Sequence, residues 1–175
     1  IMQRMGSTMT TTASAKVEEY LETIYNMEME GETVIGARLA EKFRVKAPTV
    51  TEMLQRLERA GYVTPDAQRH VTLTASGVEL AESVLRRHRL TERFLTDMLG
   101  MQWHTVHEEA CRLEHYISGA VEERVIASLD HPTTCPHGNP IPGYVPDARG
   151  YLARVGARRL TEAEAARARA VTDDV

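Results

Sequence analysis

Apolar residues recur at helical spacing along the first third of the chain and predict three helices. The first is expected over about 14–30 and ends at Gly31. Two shorter helices are expected at about 35–43 and 48–60, and Pro48 suits the first turn of the latter. A helix, a short turn and a second helix at this spacing predict a helix-turn-helix.

The period of the pattern changes after Gly61. Positions 62–64 and 71–74 are rich in β-prone residues, and 65–70 would join them as a turn. This predicts a small β-hairpin. A helix-turn-helix followed by a hairpin is a winged helix, so we expect a winged-helix DNA-binding domain over 14–75.

The pattern is helical again in the second half of the chain. A long helix is expected over about 76–99, and another begins near Thr105, where Thr105 and Glu108 have the spacing of a capping box. A third is expected over 122–129, followed by a loop rich in proline and glycine at 131–143.

These elements predict a mainly α fold with four segments. The winged helix-turn-helix with its small β-hairpin wing at 14–75 precedes an all-helical domain at 76–143. Residues 1–13 have no apolar run like that of a signal peptide and are expected to form a disordered leader. Residues 144–175 are expected to form a tail, in which 160–171 would be a solvated helix or a tether.

Composition narrows the possible functions. The net charge of −4 gives no global basic field, which disfavours nonspecific coating of nucleic acid but permits a locally basic DNA-reading face. Two cysteines make no disulfide framework, so a reduced cytoplasmic setting is expected. No apolar run is long enough to cross a membrane.

Four residues with metal-binding side chains share one face of the helix after Thr105. His107, Cys111, Glu114 and His115 occupy positions i, i+4, i+7 and i+8. They adjoin an apolar stripe expected to face the core, which consists of Val106, Ala110, Leu113 and Ile117. Nitrogen, sulfur and oxygen donors at this spacing suit a divalent transition metal, and the alternative is a polar helix edge.

Further donors occur at helical spacing in other segments. His88 and Glu92 form an i, i+4 pair on the long helix, and Glu19 and Glu22 form an i, i+3 pair on the first helix. Each pair alone is typical of a solvated charged face. Together with the first cluster they could build one site that ties the first helix to the central helices.

Cys135 and His137 lie in the loop rich in proline and glycine. A second metal site there is possible, but loop packing is the favoured interpretation.

The second helix of the helix-turn-helix and the wing offer residues suited to DNA. Hydroxyl and basic side chains at a helix N-terminus contact phosphates and base edges in a major groove. The alternative is an ordinary three-helix unit with solvated charges. The expected DNA-binding residues are Arg38, Lys46, Pro48, Thr49, Thr51, Glu52, Gln55, Arg56 and Arg69.

Several ordered strings resemble the diphtheria-toxin-repressor family of iron- and manganese-dependent transcriptional repressors. They are EYLETIY at 19–25, LAE at 39–41, APTVT at 47–51, RHRLTERFL at 87–95, VHEEACRLEH at 106–115 and PHGNPIPG at 136–143. The resemblance implies a helical dimerisation domain and a homodimer that binds a palindromic double-stranded operator when loaded with Fe(II) or Mn(II). Co, Ni, Zn or Cd could substitute.

The resemblance also implies two ligand sets. The primary set would be Glu19, Glu22, Cys111, Glu114 and His115, and the ancillary set would be His88, Glu92 and His107. Cys111 matches the iron type and Glu22 the manganese type, while Glu19 matches neither. The thiolate favours softer metals, so the expectation leans to Fe(II). The run at 159–164 looks like the approach to an SH3-like domain that would be incomplete here.

Two other functions remain as alternatives. A winged-helix regulator could respond to another effector. A zinc-dependent hydrolase is remote, although Cys111 to His115 differs at one position from an inverted zinc-protease pattern. No catalytic triad or nucleotide-binding motif occurs, so neither an enzymatic activity nor a small-molecule substrate is expected.

Overall fold

The computed structural model describes residues 14–148 and 150–151. The expected leader at 1–13 and the expected helix at 160–171 lie outside these residues. The described elements, in chain order, are α1 (Ala15–Met29), α2 (Gly36–Phe43), α3 (Ala47–Arg59), β1 (Val63–Pro65), β2 (Val71–Leu73), α4 (Ala75–Asp97), α5 (Val106–Leu113), a short 3₁₀ helix (Glu114–Tyr116) and α6 (Gly119–Ser128). The mainly α fold with a small β-hairpin is confirmed.

The first three helices and the wing share one apolar core. Tyr20, Leu21 and Ile24 of α1 are almost fully buried, as the helical spacing of the first segment predicts. Leu39 of α2 and Leu57 of α3 complete the centre of this core. Tyr20 of α1 stacks on Phe43 of α2, so α1 is packed against the helix-turn-helix.

The wing is a two-stranded antiparallel hairpin. Thr64 pairs with Thr72 at its centre, and Asp66 closes the turn by accepting hydrogen bonds from the backbone of Gln68 and His70. The backbone of β2 also makes a hydrogen bond on its other edge, where Val71 N donates to Val34 O at 2.9 Å. The hairpin is thus anchored to the segment between α1 and α2.

The long helix α4 runs through both halves of the described structure. Thr74 caps its N-terminus by accepting a hydrogen bond from Gly77 N. Gly77 lies so close to the start of the wing that a Cβ there would overlap Tyr62 O, which explains the glycine. The first turns of α4 bury Ala81 and Leu85 in the winged-helix core. Its second half packs on α5, the 3₁₀ helix and α6.

The helix after Thr105 differs from the prediction in two ways. The capping box is wrong, because the Thr105 hydroxyl donates to Gln102 O and accepts no helix N–H. The α-helix also ends at Leu113 and tightens into the 3₁₀ helix. Val106 and Ala110 are buried as expected, but the tighter turn leaves Leu113 43% exposed.

Helix α6 begins at Gly119, three residues before its predicted start. The Ser118 hydroxyl caps it by accepting a hydrogen bond from Val121 N. Among the described residues, no helix is both long and apolar enough to cross a bilayer.

Candidate metal centre and nucleic-acid interface

A buried histidine lies at the centre of a cluster of metal-binding side chains. His88 of α4 is 5% exposed, and its Nδ1 lies 2.5 Å from Glu114 Oε2. Its Nε2 lies 3.1 Å from both Glu92 Oε1 and His107 Nδ1. Donors from α4, α5 and the 3₁₀ helix therefore meet around one ring. The 3₁₀ turn makes this possible, since it places Glu114 on the buried side of the chain.

A thiol completes one group of donors with two imidazoles. Cys111 Sγ lies 3.7 Å from His107 Nε2, one helical turn away on α5. One ligand atom from each of His88, His107 and Cys111 lies within 4.8 Å of the others. This spacing and the mixture of nitrogen and sulfur suit a divalent transition metal.

A second group of donors forms where the loop after α6 meets α4. One ligand atom from each of Glu92, Cys135 and His137 lies within 4.8 Å of the others, and His137 Nδ1 is 3.2 Å from Glu92 Oε2. Cys135 is 1% exposed, so the expected packing role holds for this residue, but its neighbours also make it a candidate ligand. The Cys-x-His spacing was the available signal. Periodicity could not reveal it, because the loop folds back onto α4 without a regular repeat.

Glu92 connects the two groups. Its Oε1 faces His88 and His107, and its Oε2 faces His137. Burial alone would raise the pKa of Glu92, but hydrogen bonds from His107, His137 and His88 outweigh burial and lower that pKa strongly. Glu92 is therefore an anion held among three imidazoles.

The pKa values of the three imidazoles shift in the opposite direction from that of Glu92. Burial lowers the pKa of His88, but hydrogen bonds to Cys111, Glu114 and Glu92 outweigh it and raise that pKa well above its ordinary value. A hydrogen bond to Cys111, with a second to Glu92, raises the pKa of His107 to about 9. Hydrogen bonds to Cys135 and Glu92 raise the pKa of His137 to about 10.

The pKa of the Cys111 thiol is lowered, which favours the thiolate. Burial raises the pKa of Cys111, but hydrogen bonds from His107 and His88 outweigh it and lower the pKa. A thiolate is the form that binds metals, and the imidazoles must lose their protons to do so. The cluster therefore holds protons that a metal ion would displace.

Helix α1 reaches the cluster through a residue that the sequence interpretation missed. Glu18 is 4% exposed, and its Oε2 lies 2.6 Å from His115 Nδ1. Glu19, the predicted ligand, lies on the outer side of α1 and pairs with Lys16 at 2.6 Å. Its ligand role stays a prediction. The i, i+4 spacing of Glu18 and Glu22 on the inner face was a signal that could have found Glu18.

Glu22 lies half-buried one turn further along α1. Burial raises the pKa of Glu22 and outweighs the opposing charge of His88, while Glu114 adds to the rise. Glu22 is thus close enough to the cluster for the charges of His88 and Glu114 to influence its pKa. Its role as a ligand remains a prediction.

The predicted DNA-binding residues lie on α2, at the start of and along α3, and on the wing. All nine of them, Arg38, Lys46, Pro48, Thr49, Thr51, Glu52, Gln55, Arg56 and Arg69, are exposed. Pro48 lies in the first turn of α3, as predicted. Arg69 has a φ of 62° at the tip of the wing, where the Asp66 turn supports it. These exposed hydroxyl and cationic groups can contact phosphates and base edges.

Exposed hydrophobic side chains occur at the end of α4, in the following loop, and from the end of α5 to the start of α6. Large hydrophobic side chains exposed by 41% or more are Met98, Leu99, Trp103, Leu113, Tyr116 and Val121. Large exposed apolar patches mark protein interfaces, so these side chains are candidates for such a contact. Phe94, in the last turn of α4, is half-buried.

Two family models match the chain in succession. Residues 12–71 match the N-terminal DNA-binding domain of iron-dependent repressors. Residues 74–143 match the metal-binding and dimerisation domain of iron-dependent repressors. Together the two models span nearly all the described residues.

Individual relatives agree with the family models. The chain is 47% identical over 150 residues to the iron-dependent repressor IdeR of Mycobacterium leprae (strain TN), covering 83% of this chain and 64% of that protein. It is similar to a solved manganese-dependent transcriptional repressor in complex with manganese, with a TM-score of 0.67 and 41% identity over 73% of this chain and 58% of that one. It also resembles ScaR with bound Zn²⁺, with a TM-score of 0.67 and 35% identity over 73% and 60% of the two chains. The chain thus spans less than two thirds of each of these relatives.

Proposed function

Because the chain belongs to the iron-dependent repressor family, we propose that it is a metal-responsive transcriptional repressor. It acts as a homodimer in the cytoplasm and binds a palindromic operator when a divalent metal is bound. The relatives are named as transcriptional repressors rather than enzymes, which agrees with the expectation that this chain is not an enzyme and disfavours the hydrolase alternative.

One observation carries this proposal: donors from separate elements converge beside the DNA-binding domain. His88 and Glu92 come from α4, Cys111 from α5 and Glu114 from the 3₁₀ helix. Glu18 extends the same hydrogen-bonded network to α1 through His115. His88, Glu92 and Glu114 are buried, and burying such groups is costly unless they are paired with one another or bind a metal.

The donor set fits a divalent transition metal. Two imidazoles and a thiol in one group, and a carboxylate, a thiol and an imidazole in the other, match the ligands of iron, zinc and related ions. A bound ion would supply Lewis-acid attraction that holds these donors together. The two thiols favour Fe(II) over Mn(II), because manganese prefers oxygen donors. The solved relatives with manganese, zinc and cadmium support a site that accepts several divalent ions.

The packing of α1 supplies a route from the metal centre to DNA. Val17 and Leu21 are buried in the winged-helix core, while Glu18 on the same helix contacts His115. The docked position of α1 therefore affects both the donors and the recognition helix. If metal and operator each prefer this docked conformation, each raises the affinity for the other by the same factor.

The decisive experiment is metal-dependent DNA binding. We expect DNA selected from a random pool with Fe(II) under anaerobic conditions, or with Mn(II), to be palindromic and to shift in a gel only with metal present. Chelator should reverse the shift. Selected DNA that binds equally well with and without chelator would instead support the regulator that responds to another effector.

A matched pair of variants tests the metal centre itself. Glu114→Ala removes the carboxylate at 2.5 Å from His88 and should abolish the metal-stimulated gel shift while the protein stays folded. Glu109→Ala is the control, since Glu109 pairs on the surface of α5 with Arg112. A wild-type metal response in Glu114→Ala would show that the proposed centre is misassigned.

A further inference from the structure

The ring of His115 lies between two carboxylates, one at each nitrogen. Its Nδ1 lies 2.6 Å from Glu18 Oε2, and its Nε2 lies 3.3 Å from Glu114 Oε1. The side chain is 10% exposed, so water has little access to either nitrogen. The two contacts fix the plane of the ring. Nδ1 points toward α1, and Nε2 points toward the cluster around His88.

Both oxygens of Glu18 are already engaged. Oε2 accepts from His115, and Oε1 lies 3.3 Å from Arg87 Nη2. Glu18 is buried, yet its charge is balanced by the guanidinium, so the carboxylate remains a strong acceptor. A carboxylate engaged in this way is suited to hold a neighbouring ring rather than to bind an ion itself.

Arg87 holds this carboxylate in place by linking three elements. Its Nε donates to Glu114 O at 2.9 Å, and its Nη1 donates to Ser83 Oγ at 2.8 Å. Its third contact is with Glu18 of α1. The planar guanidinium therefore ties α1 and the 3₁₀ helix to α4 in a fixed geometry.

We propose that Glu18 is a positioning residue for His115. It accepts the Nδ1–H of the ring, so that Nε2 carries the free lone pair and faces the metal centre, and Arg87 keeps the carboxylate at the required place. Metal-binding histidines commonly donate their other N–H to a carboxylate that sets the orientation of the ring. This inference rests on the proposed function, which makes His115 a metal ligand.

The same contact gives α1 a part in metal binding without a ligand of its own. When α1 leaves its docked position, His115 loses the acceptor that orients it. Metal affinity should then fall even though the ligand is still present. Glu18 is thereby the residue through which docking of α1 and metal binding affect each other.

Two substitutions distinguish the effect of the length of the side chain at position 18 from the effect of its charge. Glu18→Gln keeps the length of the side chain and an oxygen that can accept the Nδ1–H, but it removes the charge. Glu18→Asp keeps the charge but is one methylene too short to reach Nδ1. A positioning role predicts that Gln preserves most of the metal affinity. It also predicts that Asp lowers the affinity by about 10- to 100-fold, the usual effect of losing such a partner.

The affinity can be measured with Mn(II) alone, by counting free ion with electron paramagnetic resonance. Glu30→Ala serves as the control, because Glu30 is an exposed acid at the other end of α1. Circular dichroism verifies that each variant is folded. In the metal-free protein, ¹⁵N spectra should find a proton on Nδ1 of His115 that is hydrogen-bonded to residue 18 in the wild type and in Glu18→Gln. They should find mixed tautomers in Glu18→Asp.

The opposite order of affinities, with Asp near wild type and Gln strongly weakened, would overturn the proposal and make Glu18 a ligand or a purely electrostatic partner. Equal affinities in all variants would overturn it as well. Failure of the proposed function looks different. In that case wild-type protein would bind no Mn(II), or His115→Ala would bind it unchanged, whatever residue 18 is.

Discussion

Glu92 is the residue on which the charge balance of the metal centre depends. Its two oxygens face different groups of donors, and each is hydrogen-bonded to imidazoles whose pKa values are raised. In the metal-free protein these protons stabilise the buried carboxylate. Because a metal ion needs the same nitrogen lone pairs, protons and metal compete for one set of atoms.

This competition predicts a pH dependence of stability. His137 has a pKa raised from 6.5 to about 10 in the folded protein, so its contribution is fully present below pH 6.5 and is lost as the pH rises through 10. His107, whose pKa is raised to about 9, also stabilises the folded protein at lower pH, and this contribution is lost as the pH rises through 9. Its side chain is 59% exposed, so solvent screening weakens the contribution. We expect the free energy of unfolding of the metal-free protein, from urea titrations, to fall between pH 7 and pH 10.

The control for this prediction is His137→Gln, which should flatten the upper part of the decline. Saturating metal should abolish the decline, because the bound imidazoles are then already deprotonated. Stability that rises over the same pH interval in the metal-free protein would contradict the assigned protonation.

The sequence predicted the donors on regular helices but not those that depend on tertiary structure. His88, Glu92, His107 and Cys111 follow from helical spacing, and the structure brings them together. Glu18 was missed because its neighbour Glu19 occupies the position at which the resembled family has a ligand, and only the packing of α1 shows which of the two faces inward. Cys135 and His137 depend on the return of an irregular loop, which no periodic signal encodes.

At the scale of elements, the wing is held to α1 by a side-chain hydrogen bond. The acceptor is a carboxylate oxygen of α1, in the place where a third strand would offer a backbone carbonyl. Leu73 N points away from β1 and donates to Glu28 Oε1 at 2.8 Å. Glu28 lies near the C-terminal end of the same helix that carries Glu18 near its N-terminal end. Helix α1 therefore contacts the metal centre at one end and the wing at the other.

Removing this contact should loosen the wing selectively. Glu28→Ala leaves the half-buried Leu73 N–H without this acceptor, at a cost of about 1–3 kcal/mol. We expect faster hydrogen exchange at the Leu73 amide and weaker operator binding, with little change in Mn(II) affinity. The measurements are amide exchange by nuclear magnetic resonance and DNA titration at saturating metal.

Glu28→Gln keeps an oxygen acceptor and should restore slow exchange and most of the operator affinity. Unchanged exchange at Leu73 in Glu28→Ala would mean that the hydrogen bond does not hold the wing.

Helix and strand positions were predictable from sequence because each has a local cause. The apolar period gave α1, and Pro48 marked the first turn of α3. The capping box at Thr105 failed because the Thr105 backbone lies in the αR region (φ −107°, ψ −17°) and not in the extended conformation typical of a residue whose side chain caps a helix. The 3₁₀ turn after Leu113 has no local signal. It accompanies the contact between Glu114 and His88, which joins residues 26 positions apart.

At the scale of the whole molecule, α4 connects the winged-helix domain to the region proposed to form the dimer interface. Its first turns lie in the winged-helix core, and its C-terminal end leads to the exposed apolar surface that includes Met98, Leu99 and Trp103. An apolar surface of this kind on a regulator with a dimerisation domain is best explained by a second copy of the chain. The candidate metal centre around His88 and Glu92 lies along α4 between these two regions.

This arrangement predicts that dimerisation can be broken without destroying the metal centre. Leu99 is 61% exposed and makes no part of the donor groups, so Leu99→Arg places a charge in the proposed interface. We expect sedimentation analysis to show a monomer. Titrations should show that this monomer still binds Mn(II) but binds the operator far more weakly, because one winged helix contacts a single half-site. Glu79→Arg, on an exposed position of α4, is the matched control and should remain dimeric. A dimer with normal operator affinity in Leu99→Arg would move the interface elsewhere on the molecule.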